Sequence, residues 1–565
     1  MNIVGIDLGT TNSACAVWRD GKVRMIPNRL GETLTPSVVH IGEDGKATVG
    51  KIAKEKLITQ PDCTTSLFKR YMGTDRKIKV NGKGYSSSEL SALVLISLKE
   101  DAEVFLDEAV VEVVVSVPAY FNDIQRKATV LAAQMAGLIV KRLVSEPTAA
   151  AIAYGLHERP EHTHFMVIDL GGGTFDVSIM EYFDDVLEVH ASAGDSFLGG
   201  EDFLQLLVKM YLDSINSNSQ DLTRSELNQV YQQMELAKRD INSNDRLLIP
   251  PFLERYNQPI ELTYNDFEKN SEPLLQRIQG PVEKALRDAN LTPSDLDDVL
   301  LVGGATRMKV LRSAVVKMFR RIPSANLNPD EVVAMGAGIQ AGLVSRDAAL
   351  DDVVLTDVSP YSLGIAVLNE NDKTGLIGSL FDPIIERNTT VPVSREEVYS
   401  TVSDNQSEIV VVIYQGENRL VQNNIQLGKL EVRVSKKKAG EESIVVRFSY
   451  DVNGLLEVDV HVTSTGERLN RTIQNAAGSL SDKEMRISQE KLAKLKFHPR
   501  DEELNRELVA RADRLYEGLI NEERSIIRDC LLQFEAILET QDEKRIEQGR
   551  SELESVLEHF DQSLF

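Results

Sequence analysis

Hydrophobic and polar positions follow three successive patterns along this chain, and each predicts a different kind of structure. Up to about residue 350, β-branched apolar runs such as Val110–Val117 alternate with helix-like segments such as Gln125–Ala136, the pattern of an α/β fold. From about 358 to 475 helical periodicity disappears, and short strand-like segments separated by turns predict a β-sandwich. From Ser481 to Phe565 the chain is highly charged with an amphipathic stripe, which predicts a small helical bundle.

One segment of the predicted sandwich alternates cleanly between apolar and polar residues. In Leu455–Val462 every second residue is apolar, and Glu457, Asp459 and His461 occupy the positions between them. Successive side chains of a strand point to opposite faces, so this segment predicts one buried face and one solvent-facing face.

Two glycine-containing turns in the α/β part resemble each other. The stretch Asp169-Leu170-Gly171-Gly172-Gly173-Thr174-Phe175-Asp176 lies between two short β-branched runs that are typical of strands. Consecutive glycines let the backbone approach a ligand and turn several N–H groups towards an anion, although an ordinary glycine hairpin explains this stretch alone equally well. Its echo, Ile6-Asp7-Leu8-Gly9-Thr10-Thr11-Asn12-Ser13, has its aspartate 162 residues earlier. The repeat predicts two similar lobes whose hairpins face each other across a cleft and hold a triphosphate from both sides.

Two further patterns in the α/β part are open to more than one interpretation. A third glycine turn, Val299–Arg307, joins a strand to a helix-like segment, and a helix N-terminus beside paired glycines also suits a phosphate. The residues Glu235, Lys238, Arg239 and Asn242 share one helix face, for which a solvated charged face is the simplest interpretation. The chain contains no G-x-x-x-x-G-K-[ST] motif, so a P-loop ATPase is excluded.

Composition narrows the range of partners and settings. The chain has 565 residues, which predicts two to four domains, and its net charge of −24 argues against nucleic acid as a partner. Three widely spaced cysteines, Cys15, Cys63 and Cys530, do not form a disulfide framework and favour a reducing cytoplasm. The N-terminus shows no signal-peptide pattern, and the apolar runs are far shorter than the ~20 residues that span a bilayer. We therefore expect a cytoplasmic protein without a membrane partner.

Taken together, the motifs resemble the DnaK-type seventy-kilodalton heat-shock chaperone family. The matching stretches span almost the whole chain: Ile6–Ser13, Val117–Asp123, Glu146–Ala151, Asp169–Asp176, Gly199–Phe203, Leu301–Met308, Asn328–Glu331 and Asp404–Ser407. The short chain and compact helical tail look closest to the bacterial HscC-type branch. The resemblance implies a multidomain chain with a two-lobed, actin-like ATPase domain (1–350), a linker (351–357), a β-sandwich substrate-binding domain (358–475) and a helical lid (476–565).

The resemblance also implies roles for individual residues in an ATPase site. The expected ligands are ATP and ADP with Mg²⁺ and K⁺, and Asp7 and Asp169 hold water on Mg²⁺. Lys69 and Glu146 position the attacking water and the γ-phosphate, and the phosphates are held by Thr10, Thr11, Gly171, Gly172, Gly173 and Thr174. The rest of the nucleotide pocket comprises Gly200, Glu201, Glu235, Lys238, Arg239, Asn242, Gly303, Gly304, Arg307 and Asp330. This implication replaces the solvated-face interpretation of the helix at 235–242.

Further residues match the family's coupling and peptide-binding positions. Pro118 and Arg126 match its proline switch, and Arg142 and Asp357 match positions that link the ATPase domain, the linker and a co-chaperone. The family binds extended apolar peptide in its sandwich, and the matching pocket residues are Leu363, Ile365, Leu368, Tyr399, Val402, Ile409 and Val411. The implied partners are unfolded or client polypeptides, a J-domain co-chaperone and a nucleotide exchange factor, in a stress response.

Departures from the family pattern bear on these partners. The segments between Gly73 and Ser87 and near Pro250–Leu262 are short, which leaves dependence on the usual exchange factor open. Thr356 replaces an apolar linker residue, and Asn369–Arg387 is long beside the peptide pocket, which favours a narrow substrate choice.

Other functions of the same ATPase class remain alternatives. A sugar kinase or filament-forming protein explains residues 1–350 but not the sandwich and the helical tail. A non-hydrolysing binding or exchange relative fits the whole chain, and intact Lys69, Glu146, Asp169 and Thr174 argue against it.

Overall fold

The computed structural model describes most of the chain in detail. The described residues are 3–42, 47–155, 162–183, 186–253, 256, 258–346, 350, 354–368, 379–473, 508, 512, 521–539 and 543–563. The first half of the α/β part contains β1 (Val4–Asp7), β2 (Asn12–Arg19), β3 (Lys22–Ile26), β4 (Thr35–Pro36), β5 (Val39–Ile41), β6 (Ala47–Val49), α1 (Lys51–Thr59), β7 (Thr64–Thr65), β8 (Ile78–Val80), β9 (Lys83–Tyr85), α2 (Ser87–Leu106), β10 (Glu112–Val117), α3 (Asp123–Met135), β11 (Ile139–Ser145) and α4 (Glu146–Ala153).

The remaining elements follow in chain order. The second half of the α/β part contains β12 (Thr163–Leu170), β13 (Phe175–Phe183), β14 (Val186–Asp195), α5 (Gly200–Ser214), α6 (Arg224–Asp240), β15 (Arg246–Ile249), β16 (Ile260–Thr263), α7 (Tyr264–Asp288), β17 (Asp298–Val302), α8 (Lys309–Phe319), α9 (Val332–Val344) and β18 (Val354–Leu355). The sandwich and the C-terminal helices contain β19 (Asp357–Val358), β20 (Leu363–Val367), β21 (Leu380–Ile385), β22 (Thr390–Val391), β23 (Val393–Ser400), β24 (Glu408–Gln415), β25 (Ile425–Arg433), β26 (Ser443–Tyr450), β27 (Leu456–Val462), β28 (Arg468–Thr472), α10 (Asn521–Glu539) and α11 (Glu543–Ser563).

The α/β part consists of two lobes built on the same strand plan. One sheet has the order β11-β10-β1-β2-β3 and the other β17-β12-β13-β14-β18. In each sheet, the first strand of an antiparallel hairpin (β1–β2 or β12–β13) also pairs with a parallel strand. This parallel strand is β10 beside β1 and β17 beside β12. The predicted internal repeat is confirmed as two lobes of matching topology.

Two small-residue helices join the lobes. A Cβ added to Gly336 of α9 would lie 1.8 Å from the carbonyl oxygen of Ala149 of α4, and one added to Gly5 of β1 would lie 2.2 Å from the backbone of Ala337. Larger side chains at these glycines would push the helices off the sheet and off each other. The tight helix packing therefore fixes the lobes' relative position at their base.

The predicted β-sandwich is confirmed, with two four-stranded antiparallel sheets of order β21-β20-β24-β25 and β23-β26-β27-β28. The apolar residues of β27 are buried as expected, but Glu457 is not solvent-facing: its side chain is only 3% exposed. Asn470 of the neighbouring strand β28 donates a hydrogen bond to Glu457, so β28 covers a position that strand alternation alone assigns to solvent.

The predicted helical tail is described only in part. The helices α10 and α11 pack through Phe534, Leu538, Leu553 and Leu557, together with Leu508. The remaining residues of the predicted lid, including the predicted helix start at Ser481, lie outside the described residues. In the part of the chain that is described, no helix has the length and apolar character needed to cross a membrane.

The sandwich packs directly on the α/β part. Lys127 of α3 donates to the carbonyl oxygen of Ile473 at 2.7 Å, and the backbone N–H of Asp123 donates to the side chain of Gln415 at 3.1 Å. On the second lobe, Arg387 forms an ion pair with Asp288 at 2.8 Å, and this hydrogen-bonded pair lowers the pKa of Asp288.

The segment between the two parts forms an added strand. Val354 and Leu355 of β18 pair in parallel with Val186 and Leu187 of β14, and the N–H of Thr356 donates to the carbonyl oxygen of Leu187 at 3.1 Å. The linker therefore extends the sheet of the second lobe by one short edge strand.

Candidate nucleotide site

The two glycine hairpins face each other, as their repetition predicts. A Cβ added to Gly172 would lie 2.2 Å from a side-chain carbon of Thr11, and one added to Gly173 would lie 2.6 Å from a side-chain carbon of Thr10. Any side chain at either glycine would overlap the facing threonine and push the two hairpins apart. Both positions therefore need glycine for this close approach.

The glycine turn of the second lobe also fixes the start of α5. The N–H of Gly200 donates to the carbonyl oxygen of Gly171, and the N–H of Glu201 donates to that of Gly172, both at 2.9 Å. Gly171 in turn donates to the carbonyl oxygen of Thr174 at 3.1 Å. These hydrogen bonds therefore fix the conformation of the turn and join it to the first residues of α5.

Four carboxylates line the base of this cleft. Asp169 and Asp176 are register partners on β12 and β13, Asp7 ends β1, and Glu146 begins α4. Asp169, Asp176 and Glu146 are buried, and Asp7 is half-buried. Ser116 donates to Asp7 at 2.7 Å. Both lobes thus contribute negative charge to one point.

Burial, and then repulsion between neighbouring carboxylates, raises the pKa of Asp7, Asp169 and Asp176. Burial, followed by repulsion from Glu146, raises the pKa of Asp176 to about 7. The pKa of Asp169 is raised well above its usual value by burial and by Glu146, Asp176 and Asp7, and the pKa of Asp7 is also raised, by burial and then by Glu146. Buried carboxylates that repel one another favour a nearby cation, and among the described residues no group of three or more acidic, histidine or cysteine side chains is arranged to ligate a metal ion directly. These oxygen donors fit Mg²⁺, which keeps several waters when proteins bind it.

Lys69 supplies positive charge to this cluster. Its Nζ lies 3.0 Å from Glu146 Oε1, and its side chain is only 3% exposed. Lys69 belongs to a single 3₁₀ turn, Phe68–Tyr71, and its Nζ lies 5.5 Å from the ring centroid of Phe121. A buried ammonium held by one carboxylate is well placed to neutralise charge on a transferring phosphoryl group.

The helix face at 235–242 is not simply a solvated face. Lys238 pairs with Glu235 at 2.6 Å and donates to the carbonyl oxygen of Gly200 at 3.2 Å, which ties α6 to the start of α5. Asn242, in the turn that follows α6, accepts a bond from the N–H of Lys309 at 2.9 Å at the start of α8. Arg239 pairs with Glu235 at 3.3 Å, but most of its side chain is exposed.

The glycine turn at Val299–Arg307 lies against the glycine turn at Asp169–Asp176. A Cβ added to Gly303 would lie 2.4 Å from the carbonyl oxygen of Leu170, and one added to Gly304 would lie 2.2 Å from Asp330 Oδ1. Arg307 forms an ion pair with Asp330 at 2.9 Å. The structure therefore brings Gly303, Gly304, Arg307 and Asp330 to the same cleft wall.

Sequence reasoning missed four side chains at this site. Arg70 pairs with Asp202 at 2.5 Å, and its Nε would lie 2.8 Å from a Cβ added to Gly173. Asp176 closes the second glycine motif, and Ser116 holds Asp7. The symmetry of Asp169 and Asp176 at the two ends of one turn was a usable signal for Asp176, whereas Ser116 and Asp202 carry none.

The residues predicted for coupling lie between the site and the sandwich. Arg126 is buried and donates to the carbonyl oxygens of Phe121 and Ala119. Its Cδ would lie 3.3 Å from a Cβ added to Gly454 of the sandwich. Burial lowers the pKa of Arg142, and the charge of Asp357 opposes that shift. Pro118 follows β10 directly.

The predicted peptide-binding residues have different surroundings. Leu363, Ile365 and Val411 are buried in the sandwich core, whereas Tyr399 and Ile409 are partly buried against it. Leu368 and Val402 are 62% and 54% exposed. The exposed pair follows β20 and β23, at the end of the sandwich where β24 begins.

A two-lobed fold with facing glycine hairpins over buried carboxylates defines a class of nucleotide-binding phosphotransfer proteins. The family model described as Hsp70 protein matches residues 3–564 of this chain. The chain belongs to the Hsp70 family. Members of this family are chaperones and ATPases that bind ATP or ADP with Mg²⁺ and act on client polypeptides with co-chaperones.

Proposed function

We propose that this chain is an ATP-dependent chaperone whose affinity for extended apolar peptide is controlled by ATP binding and hydrolysis. The observation that carries the proposal is that the sandwich packs on α3 of the first lobe while the linker strand pairs with β14 of the second lobe. The glycine hairpins of both lobes end at the carboxylate cluster. A nucleotide that shifts the lobes would change the surfaces on which both are packed.

In this proposal the hairpins around Thr10 and Thr174 bind the phosphates, and Asp7 and Asp169 hold the waters of Mg²⁺. When bound, Mg²⁺ neutralises negative charge on the phosphates. Lys69 donates to the transferring phosphoryl group, and Glu146 orients Lys69 and the attacking water. Positioning and charge neutralisation supply most of the catalysis in phosphoryl transfer.

The proposal extends to the ions, the partners, the cellular setting and the domain boundaries. K⁺, a J-domain co-chaperone, an exchange factor and a cytoplasmic setting are proposed on the family resemblance alone, and so is the HscC-type branch. The domain boundaries 1–350, 351–357, 358–475 and 476–565 are proposed as functional units. Leu368 and Val402 support a peptide site at their end of the sandwich, because exposed apolar side chains suit an apolar ligand.

The test follows a fluorescent apolar peptide bound to the full chain as Mg-ATP or Mg-ADP is added. We expect rapid release with ATP and slow release with ADP. Binding that ignores the nucleotide would contradict ATP control. No peptide binding together with phosphorylation of a sugar would favour the kinase alternative.

The linker contact gives a second prediction. Asp357→Asn removes the negative charge beside half-buried Arg142, so we expect ATP-driven peptide release to slow about tenfold, because coupling energies are about 1–3 kcal/mol. Stopped-flow release measures the effect, and basal ATPase should change little. Glu431→Gln, at an exposed charge of the same sandwich, is the matched control. Wild-type release in Asp357→Asn would remove Asp357 from the coupling path.

A further inference from the structure

One residue, Tyr120, contacts both the carboxylate cluster and the sandwich. It lies between β10 and α3, and its backbone N–H donates to Asp176 Oδ1 at 2.8 Å. A Cβ added to Gly194 would lie 2.9 Å from Tyr120 Cβ and 3.2 Å from Asp176 Oδ1. Tight packing at Gly194 therefore keeps Tyr120 in register with Asp176, which lies two residues after Thr174.

The sandwich reaches the same residue through Tyr361. The two tyrosine rings are 4.5 Å apart between centroids, tilted by 39°, and the hydroxyl of Tyr361 donates to the carbonyl oxygen of Tyr120 at 3.1 Å. Tyr361 lies between β19 and β20, and β19 is the strand that follows the linker strand β18. Burial raises the pKa of the Tyr361 hydroxyl, so it stays protonated and able to donate.

The resulting chain of contacts is short. The carboxylate of Asp176 holds the N–H of Tyr120, and the carbonyl oxygen of the same residue holds Tyr361. Lys284 of α7 also lies 5.5 Å from the Tyr120 ring centroid, so the second lobe contacts the ring as well. A hydrogen bond weakens steeply as its geometry is lost. A shift of the β12–β13 turn therefore changes the contacts of Tyr361 through one intervening residue, Tyr120.

We propose that Tyr361 is a positioning residue that reports the state of the phosphate-binding turn to the β-sandwich through Tyr120 and Asp176. The inference rests on the proposed ATP-controlled chaperone function and names the side chain on the sandwich that carries the signal. Coupling between the affinities of two sites is reciprocal, so peptide binding uses the same contact to weaken ATP binding.

The test separates the hydroxyl from the ring in the full chain. Tyr361→Phe removes the hydrogen bond and keeps the ring, whereas Tyr361→Leu removes both contacts. We expect ATP-driven peptide release to slow about threefold in the first variant and about tenfold in the second, the latter equivalent to about 1.4 kcal/mol. The weakening of equilibrium ATP binding by saturating peptide should shrink in the same order. Basal turnover and peptide affinity with ADP should match wild type.

Tyr414→Phe is the matched control, because Tyr414 is a half-buried tyrosine on β24 of the same sandwich. Wild-type release by both Tyr361 variants would overturn the inference while leaving the proposed function intact. A loss of ADP-state peptide affinity and of thermal stability in Tyr361→Phe would also overturn it, since that pattern marks a merely structural tyrosine. Failure of wild-type protein to release peptide with ATP would instead overturn the proposed function, and this inference with it.

Discussion

Lys69→Ala should lower ATP turnover by about 10²–10³-fold while ATP binding persists, since this is the typical cost of removing one preorganised donor from a developing charge. The buried lysine contacts Glu146 at 3.0 Å, and alanine leaves no cation at that position. Single-turnover hydrolysis measures the chemical step, and equilibrium binding of ATP measures the affinity. Turnover near wild type would contradict the proposed role of Lys69.

A second variant separates lost catalysis from lost folding. Lys69→Ala leaves Glu146 buried without its partner, and a buried pair broken on one side typically costs about 3–5 kcal/mol of stability. The double variant Lys69→Met with Glu146→Gln removes both charges, so the thermal unfolding temperature should recover. If the double variant regains stability but not turnover, the loss belongs to the chemistry of the Lys69–Glu146 pair and not to folding.

Asp176→Asn should stabilise the nucleotide-free protein at pH 8 by up to roughly 4 kcal/mol, and by less at pH 5. The pKa of Asp176 rises from 3.8 to about 7 in the folded protein, so the folded state holds this proton more tightly than the unfolded state. Wild-type stability therefore falls as pH rises from about 4 to about 7, and asparagine removes that loss. The amide oxygen can still accept from Tyr120.

Thermal unfolding in chelator at pH 5 and pH 8 measures this difference. Asp75→Asn, at an exposed position, is the control and should show no comparable pH-dependent gain. An equal effect of Asp176→Asn at both pH values would show that ionisation of Asp176 does not cause the loss of stability.

The repeat around Asp7 and Asp169 and the strand alternation of β27 were readable from sequence, because local patterns determine hairpins and faces. The burial of Glu457 was not, since it depends on β28, whose own pattern is polar. Strand β21 was also missed: it contains Pro383, which an edge strand tolerates. The contact between Tyr120 and Tyr361 joins residues 241 positions apart, and no local pattern predicts such a pairing.

The linker strand β18 has a consequence for any fragment of this chain. It pairs with β14 through only two residues, so its release exposes a short row of unpaired N–H and C=O groups. Such a row is a template for another chain, and natural proteins usually cover it. A fragment ending at residue 350 would carry this open edge permanently. Its sheet would then end at β14 instead of β18, so pairing of foreign strands with β14 would not report on the intact protein.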